Sequence, residues 1–234
     1  MTHPLGERRP VVAAAAVASL VLGMGASILL PAAYGFDIQA LAHPGSIVDR
    51  GQGVAQLLRW GALLDMASYL PMAVVVVYFH HRLRARNPEL VSLLTACGLA
   101  YVLIGSIAGV LLATVGPPLI EGYAAASPAG QDAARVTLEA LGTAALVGLW
   151  GTLELIFFGS WFIGIGWLMR TDWRRFAVLS MVVGVAFLAA SARTGLSGRT
   201  LLEINGPLDL VISAPLALFF VWDLWLAVRL WRGA

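Results

Sequence analysis

The sequence contains no lysine; all 15 of its lysine-or-arginine positions are arginine. That excludes every chemistry that needs an amine, such as a retinal or pyridoxal Schiff base or the phosphate-binding lysine of a P-loop. A single cysteine, Cys97, excludes an intramolecular disulfide and, lying in an apolar run, reads as a packing residue. There is no GxSxG, CxxC, HExxH, HxxxH, glycine-rich phosphate loop or aspartate-rich diphosphate motif. Hydrolase, redox and nucleotide-binding readings therefore have no support, and neither a metal nor a cofactor is expected. His80 and His81 point about 100° apart on a helix and do not chelate one ion together. Charge itself is scarce. With 12% charged against 59% hydrophobic residues, a chain of 234 residues cannot cover a soluble globule with polar surface. The expected partner is the lipid bilayer, and no nucleic acid is expected.

What the sequence has instead is long apolar runs. An apolar stretch of ~20 residues crosses the ~30 Å hydrocarbon core as a helix. Six such spans are expected, at about 11–31, 57–79, 90–115, 140–169, 174–192 and 207–231. The fold class is thus an all-α polytopic membrane helical bundle, treated as a single domain over 1–234. The first apolar run exceeds a signal-peptide core and reads as a retained helix. Residues 31–56, rich in Gly and Pro, read as an outer loop with little helix until Val54, and Gly116–Ala126, with Pro117 and Pro118, as a second. Ser127 before Pro128 predicts an N-cap. Asn205, Gly206 and Pro207 predict a cap for the sixth span, with Asp209 in its first turn. Pro71 predicts a bend in the second span and frees the carbonyl of Ala67.

Arginine sets the orientation. Ten arginines flank the ends that include the two termini, and five (Arg50, Arg59, Arg135, Arg193 and Arg199) lie opposite. The positive-inside bias then puts both termini in the cytoplasm, with Trp167, Trp173 and Trp231 as an inner aromatic belt and Trp60 on the outer side. Small residues predict where helices approach closely: Gly98, Gly105 and Gly109 on the third span, Ser180 and Gly184 on the fifth.

Three carboxyl groups remain at depth. Glu154 sits in the middle of the run ALGTAALVGLWGTLELIFFGSWFIGIGWLM, Asp65 lies ~5 Å from its span's midpoint toward the outside, and Asp223 ~6 Å toward the cytoplasm. An ionised group at the bilayer centre costs roughly 2.5 kcal/mol or more on insertion scales. Each acid should therefore face protein or water, or be protonated. Asp65, Tyr69, Trp150, Glu154, Trp161 and Asp223 form the candidate site for a ligand or proton.

The segments RWGALLDMASYLPMAVVVVYFHHRLR, with Arg59, Gly61, Asp65, Tyr69 and Pro71, and LWGTLELIFFGSWFIGIGWLMR, with Trp150, Gly151, Glu154, Gly159 and Trp161, resemble a bacterial six-span integral membrane family. That family is catalogued only as a domain of unknown function (the 4386 type). The resemblance implies a six-helix bacterial inner-membrane protein and imports no activity. Three readings stay open. One is a bundle that binds or moves a small or lipid-like solute at a site polarised by the buried acids. Another is an accessory subunit whose small-residue faces engage a membrane-protein partner. The last is a membrane enzyme in which Glu154 acts as general acid in an aromatic pocket, as in isoprenoid cyclisation.

Overall fold

The computed structural model describes residues 9–198 and 215–233. Among these the chain is helical throughout, in the order α1 (Pro10–Ala33), α2 (Ile38–Ala42), a 3-10 helix (Pro44–Arg50), α3 (Val54–Leu83) and α4 (Pro88–Tyr123). Next come α5 (Pro128–Thr143), a π segment (Ala144–Glu154), α6 (Leu155–Met169), α7 (Arg174–Ser197) and α8 (Pro215–Arg232). Neighbouring helices close a ring: α1 packs on α3, α3 on α4, α4 on α6, α6 on α7, α7 on α8, and α8 back on α1.

Helix starts follow from local chemistry. The Asn87 side chain accepts from Leu90 N–H at 3.0 Å ahead of Pro88, and Ser127 accepts from Gly130 N–H at 3.3 Å ahead of Pro128, satisfying backbone donors that a helix start leaves open. α7 ends at Gly198, whose φ of 67° is the left-handed conformation that ends many helices.

Five helical runs are long and apolar enough to cross a membrane: Pro10–Ala33, Val54–Leu83, Pro88–Tyr123, Pro128–Met169 and Arg174–Ser197. The expectation of six spans is corrected to five among the described residues. The region of the sixth is described only from Pro215, and those 18 residues carry Asp223, Arg229 and Arg232, which dilute their apolar character. The cap expected at Asn205–Pro207, and Asp209, lie outside the described residues. Apolar side chains also point outward in stripes, such as Val17, Val21, Met24 and Ile28 on α1 and Leu99, Leu103 and Ile107 on α4. Spacings of three and four place each stripe on one helix face. Contiguous apolar faces of that size suit lipid rather than water.

The second loop is also corrected. Residues Gly116–Tyr123 are helix, not an outer break, and α4 runs through Pro117 and Pro118. The two prolines forgo hydrogen bonds to Ala113 and Thr114. Burial of Ile120, in one cluster with Leu58 and Leu138, offsets that loss. The long first loop is structured too. Its 3-10 helix lies on α5, where Gly45 N–H donates to Glu139 Oε2 at 2.7 Å and Arg135 grips Asp49 with both guanidinium nitrogens, at 2.9 and 2.5 Å. Glu121 accepts from Gln56 and Arg59, and Arg50 pairs with Asp37. In this cap the Arg135 guanidinium holds the Asp49 carboxyl below its ordinary value, while burial, with Glu139 nearby, pushes the Tyr34 phenol up. At the opposite end Arg86 reaches the carbonyl of Leu168, the hydroxyl of Thr171 and the carboxylate of Asp172, bracing the two short turns against each other.

Candidate functional site

The core inside the ring is aromatic. Phe158 of α6 stacks on Tyr101 of α4, with ring centroids 3.6 Å apart, and Trp161, Phe162 and Phe187 pack around it. Trp222 of α8 is fully buried, contacts Phe162 and Phe176, and donates its indole N–H to Ser180 Oγ at 2.8 Å. Trp161, a candidate site residue, lies 1% exposed between Phe79 and Trp222 and so belongs to this packing.

Beside the core, α3, α4 and the end of the π segment bring polar groups together. The Tyr69 hydroxyl lies 3.1 Å from Glu154 Oε1 and 3.0 Å from Oε2, so one O–H proton serves two oxygens. Both residues are buried. Asp65 stands one turn before Tyr69 on α3, where i and i+4 share a face. Its Oδ2 is covered and has no hydrogen-bond partner. Asp65 is within electrostatic reach of both Tyr69 and Glu154. Tyr101, edge-on to Tyr69 at 5.1 Å, is within reach of Asp65, Glu154 and Asp223 alike.

Glycine makes this arrangement possible. A Cβ on Gly105 would fall 2.2 Å from two carbons of the Tyr69 ring, well inside contact distance. The bare backbone of Gly105 thus lets the ring cross α4 toward Glu154. The carbonyl of the same residue accepts the Trp150 indole N–H at 3.2 Å. Gly105 therefore seats two of the candidate site residues, one by its missing side chain and one by its oxygen.

The remaining small residues meet helices of this same chain. Gly98 faces Val76 and Trp161, Gly109 faces Ala62 and Met66, and Gly184 faces Gly159 and Ile163. Ser180 is held by Trp222 and by Phe176 O.

Helical spacing places Trp150, Phe157, Phe158 and Trp161 around Glu154, but residues 144–154 wind as a π-helix, so the 3.6-residue period does not carry from Trp150 to Glu154. Wider winding moves the back-bond of Thr152 to the carbonyl five residues earlier, Val147, at 2.7 Å. The carbonyl of Thr152 accepts from the Ser191 hydroxyl on α7 at 2.9 Å as well as from Leu155 N–H. π segments are often found where a helix serves a site.

Asp223 stands apart from the Asp65–Glu154 pair. It is fully buried, faces Ser19 of α1, and neither oxygen is in hydrogen-bond geometry with any partner. The three acids therefore do not meet at one point: two act on Tyr69 and the third stands apart, with Tyr101 within electrostatic reach of all three. Sequence reasoning missed Tyr101, whose signal was its place one turn before Gly105 on the same helical face. Among the described residues no group of three His, Cys, Asp or Glu side chains is arranged to hold a metal ion.

The family described as "Domain of unknown function (DUF4386)" matches residues 11–233 of the chain. No curated protein and no solved structure matches it.

Proposed function

We propose, from the premise that the chain belongs to the family of unknown function DUF4386, that it binds or moves a small or lipid-like solute at a proton-accepting site formed by Asp65, Tyr69, Glu154 and Tyr101. The observation that carries the reading is an excess of acceptors over donors. Glu154 presents two oxygens to one phenolic proton, Asp65 Oδ2 has no donor, and Asp223 has none in hydrogen-bond geometry on either oxygen. Buried acceptors without donors are costly, about 1–3 kcal/mol each. Among the described residues no arginine acts on these carboxyls, so a proton, or a solute that donates hydrogen bonds, is the balancing partner.

The same reading takes the protein as a six-span bundle of the bacterial inner membrane with both termini in the cytoplasm. Closure of the helix ring by α8 supports the sixth span, and the arginine bias supports the orientation. An enzymatic pocket is less well supported, because Phe158 and Trp161 are filled in by each other and by Tyr101, Phe79 and Trp222. An accessory role resting on the small-residue faces is also less well supported, since those faces meet the chain's own helices.

The test is proton movement into proteoliposomes under a potassium–valinomycin potential, read with an entrapped pH dye. Wild-type protein should exceed protein-free vesicles, and Glu154→Gln should fall to their level while eluting as folded protein. Wild-type flux at background, unchanged flux in the variant, or a variant that aggregates would each overturn the proposal.

A further inference from the structure

The ring of helices is knitted closely along two arcs. In the first, a Cβ on Gly61 of α3 would fall 3.0 Å from Leu30 N of α1, and one on Gly109 of α4 would fall 2.9 Å from Ala62 O of α3. In the second, Gly159 of α6 and Gly184 of α7 turn bare backbones to each other, a Cβ on either falling 2.8 or 2.7 Å from the other's carbonyl oxygen. α8 joins this second arc through the hydrogen bond from Trp222 to Ser180 and the stack of Trp222 on Phe176. The arcs meet where α4 packs on α6, with Tyr101 stacked on Phe158, and at the seam between α1 and α8. That seam is looser than either arc. α1 buries only small side chains, Ala13, Ala16, Ser19, Ala26 and Ala33, and a Cβ on Gly23 would lie 3.5 Å from the Phe220 ring, an ordinary contact. In lipid, apolar contact of this kind supplies no hydrophobic drive to hold helices together. One end of the seam is pinned, the Arg9 N–H donating to Leu230 O at 3.0 Å.

Into this seam the fold sets a carboxyl. Asp223 of α8 is 0% exposed, faces Ser19 of α1, and has no donor in hydrogen-bond geometry on either oxygen. α1 carries no titratable side chain from Pro10 to Ala33, nor does α6 from Leu155 to Met169 or α7 from Phe176 to Ala192. α3 turns Phe79 toward Trp222 beside it, and the titratable group within electrostatic reach is Tyr101 of α4. No guanidinium is among the groups that act on Asp223. An ionised carboxyl held between helices without a counter-charge favours water over protein. We propose that the α1–α8 seam is a proton-operated side opening: with a proton on Asp223 the two helices stay together, and when that proton leaves to water the seam parts and the interior opens toward lipid. This rests on the reading that the bundle takes a small or lipid-like solute, and it supplies that solute's route. The hydrogen bond from Tyr69 to Glu154 also runs from one arc to the other, so a solute entering between the arcs arrives at the acid site from the side rather than through the loop cap.

Pulsed EPR distances in proteoliposomes, with no solute and no gradient, read the seam directly. Spin labels go on the outward-facing positions Val21→Cys of α1 and Val221→Cys of α8 in the full chain, with Cys97→Ala as background. Raising the pH from about 5 to about 9 should lengthen the distance by about 5 Å, the scale of one helical turn, where Asp223 is present. The pair Val21→Cys with Leu70→Cys, both outward-facing and within the α1–α3 arc, should keep its distance. Asp223→Asn keeps the shape and cannot ionise, so it should hold the short seam distance at both pH values; Asp223→Leu carries the same comparison if the asparagine variant does not survive extraction. An invariant distance with Asp223 present, the same lengthening without it, or equal lengthening in the control pair would overturn the side opening. The two readings fail separately: a seam that parts in protein whose vesicle flux stays at background refutes the acid site alone, and flux across a seam that never parts refutes the side opening alone.

Discussion

Tyr69→Phe removes one oxygen from the interior and deprives two acceptors of their donor. The Tyr69 hydroxyl is 3.1 and 3.0 Å from the two oxygens of Glu154, and both side chains are covered by protein. Hydrogen bonds between membrane helices average about 0.6 kcal/mol in double-mutant cycles, because the unfolded chain in the membrane finds other partners. This one should exceed that mean, since the ring is clamped by Gly105 and Tyr101 and the acid it serves has no second donor. Its coupling is expected at about 1–2 kcal/mol, near the upper end for membrane proteins. The cycle uses Glu154→Leu as the second arm, because glutamine would still accept from the phenol while leucine fills similar space without an acceptor. Unfolding is followed in mixed micelles by titration with a denaturing detergent. Tyr69→Phe should cost about 1–2 kcal/mol in the wild-type background and under about 0.5 kcal/mol in the Glu154→Leu background, the usual limit for independent sites. Equal costs in the two backgrounds would refute the claim that this phenol serves Glu154.

Gly105→Ala should destabilise the protein by about 1–3 kcal/mol, the range for overpacking a filled core, because its Cβ would lie 2.2 Å from the Tyr69 ring. The same substitution should be nearly neutral beside Tyr69→Ala, and a persistent cost there would place the strain elsewhere. In the loop cap, Asp49 is held below its ordinary value of 3.8 by Arg135. A depressed folded value means the pair stabilises fully above the unfolded value and loses its contribution as pH falls through the folded one. Asp49→Asn should therefore lower the melting temperature slightly at pH 7, by an amount worth under about 1 kcal/mol because the pair is exposed to solvent. The difference should vanish once the pH falls below Asp49's depressed folded value. A gap that persists in acid would show that Asp49 acts by something other than its charge.

The sequence made the class and most helix starts legible, because both depend on local composition. Val54 and Ser127 open α3 and the run through α5 where cap and glycine chemistry place them. Pro117 and Pro118 misled because a proline pair is a local signal of a break, whereas the burial of Ile120 that carries α4 onward comes from Leu58 and Leu138 on other helices. Depth of the acids was legible as well, from position along each run. Direction around the helix was not: the π winding at 144–154 shifts Trp150 relative to Glu154, and nothing in AALVGLWGTLE marks it except two glycines. Tyr69 reaches Glu154 because Gly105 lets its ring pass. That is a contact among three elements, and no one of their sequences contains it.

The separation of Asp223 from the other two acids bears on how such a site could work. A single cavity holding three carboxyls would place all the repulsion in one spot, and like charges at close range in a poorly screening medium resist ionisation together. Here Asp65 and Glu154 share Tyr69, while Asp223 stands on α8 facing Ser19, with Tyr101 within reach of all three. On the proposed reading, that spacing allows one acid to hold a proton without forbidding the next from taking it. Tyr101 itself is tightly packed, with Phe158 stacked on its ring at 3.6 Å. Tyr101→Phe keeps the stack and removes only the hydroxyl, so in the vesicle assay a slowed flux assigns a proton-passing step to that hydroxyl, and an unchanged flux refutes such a role.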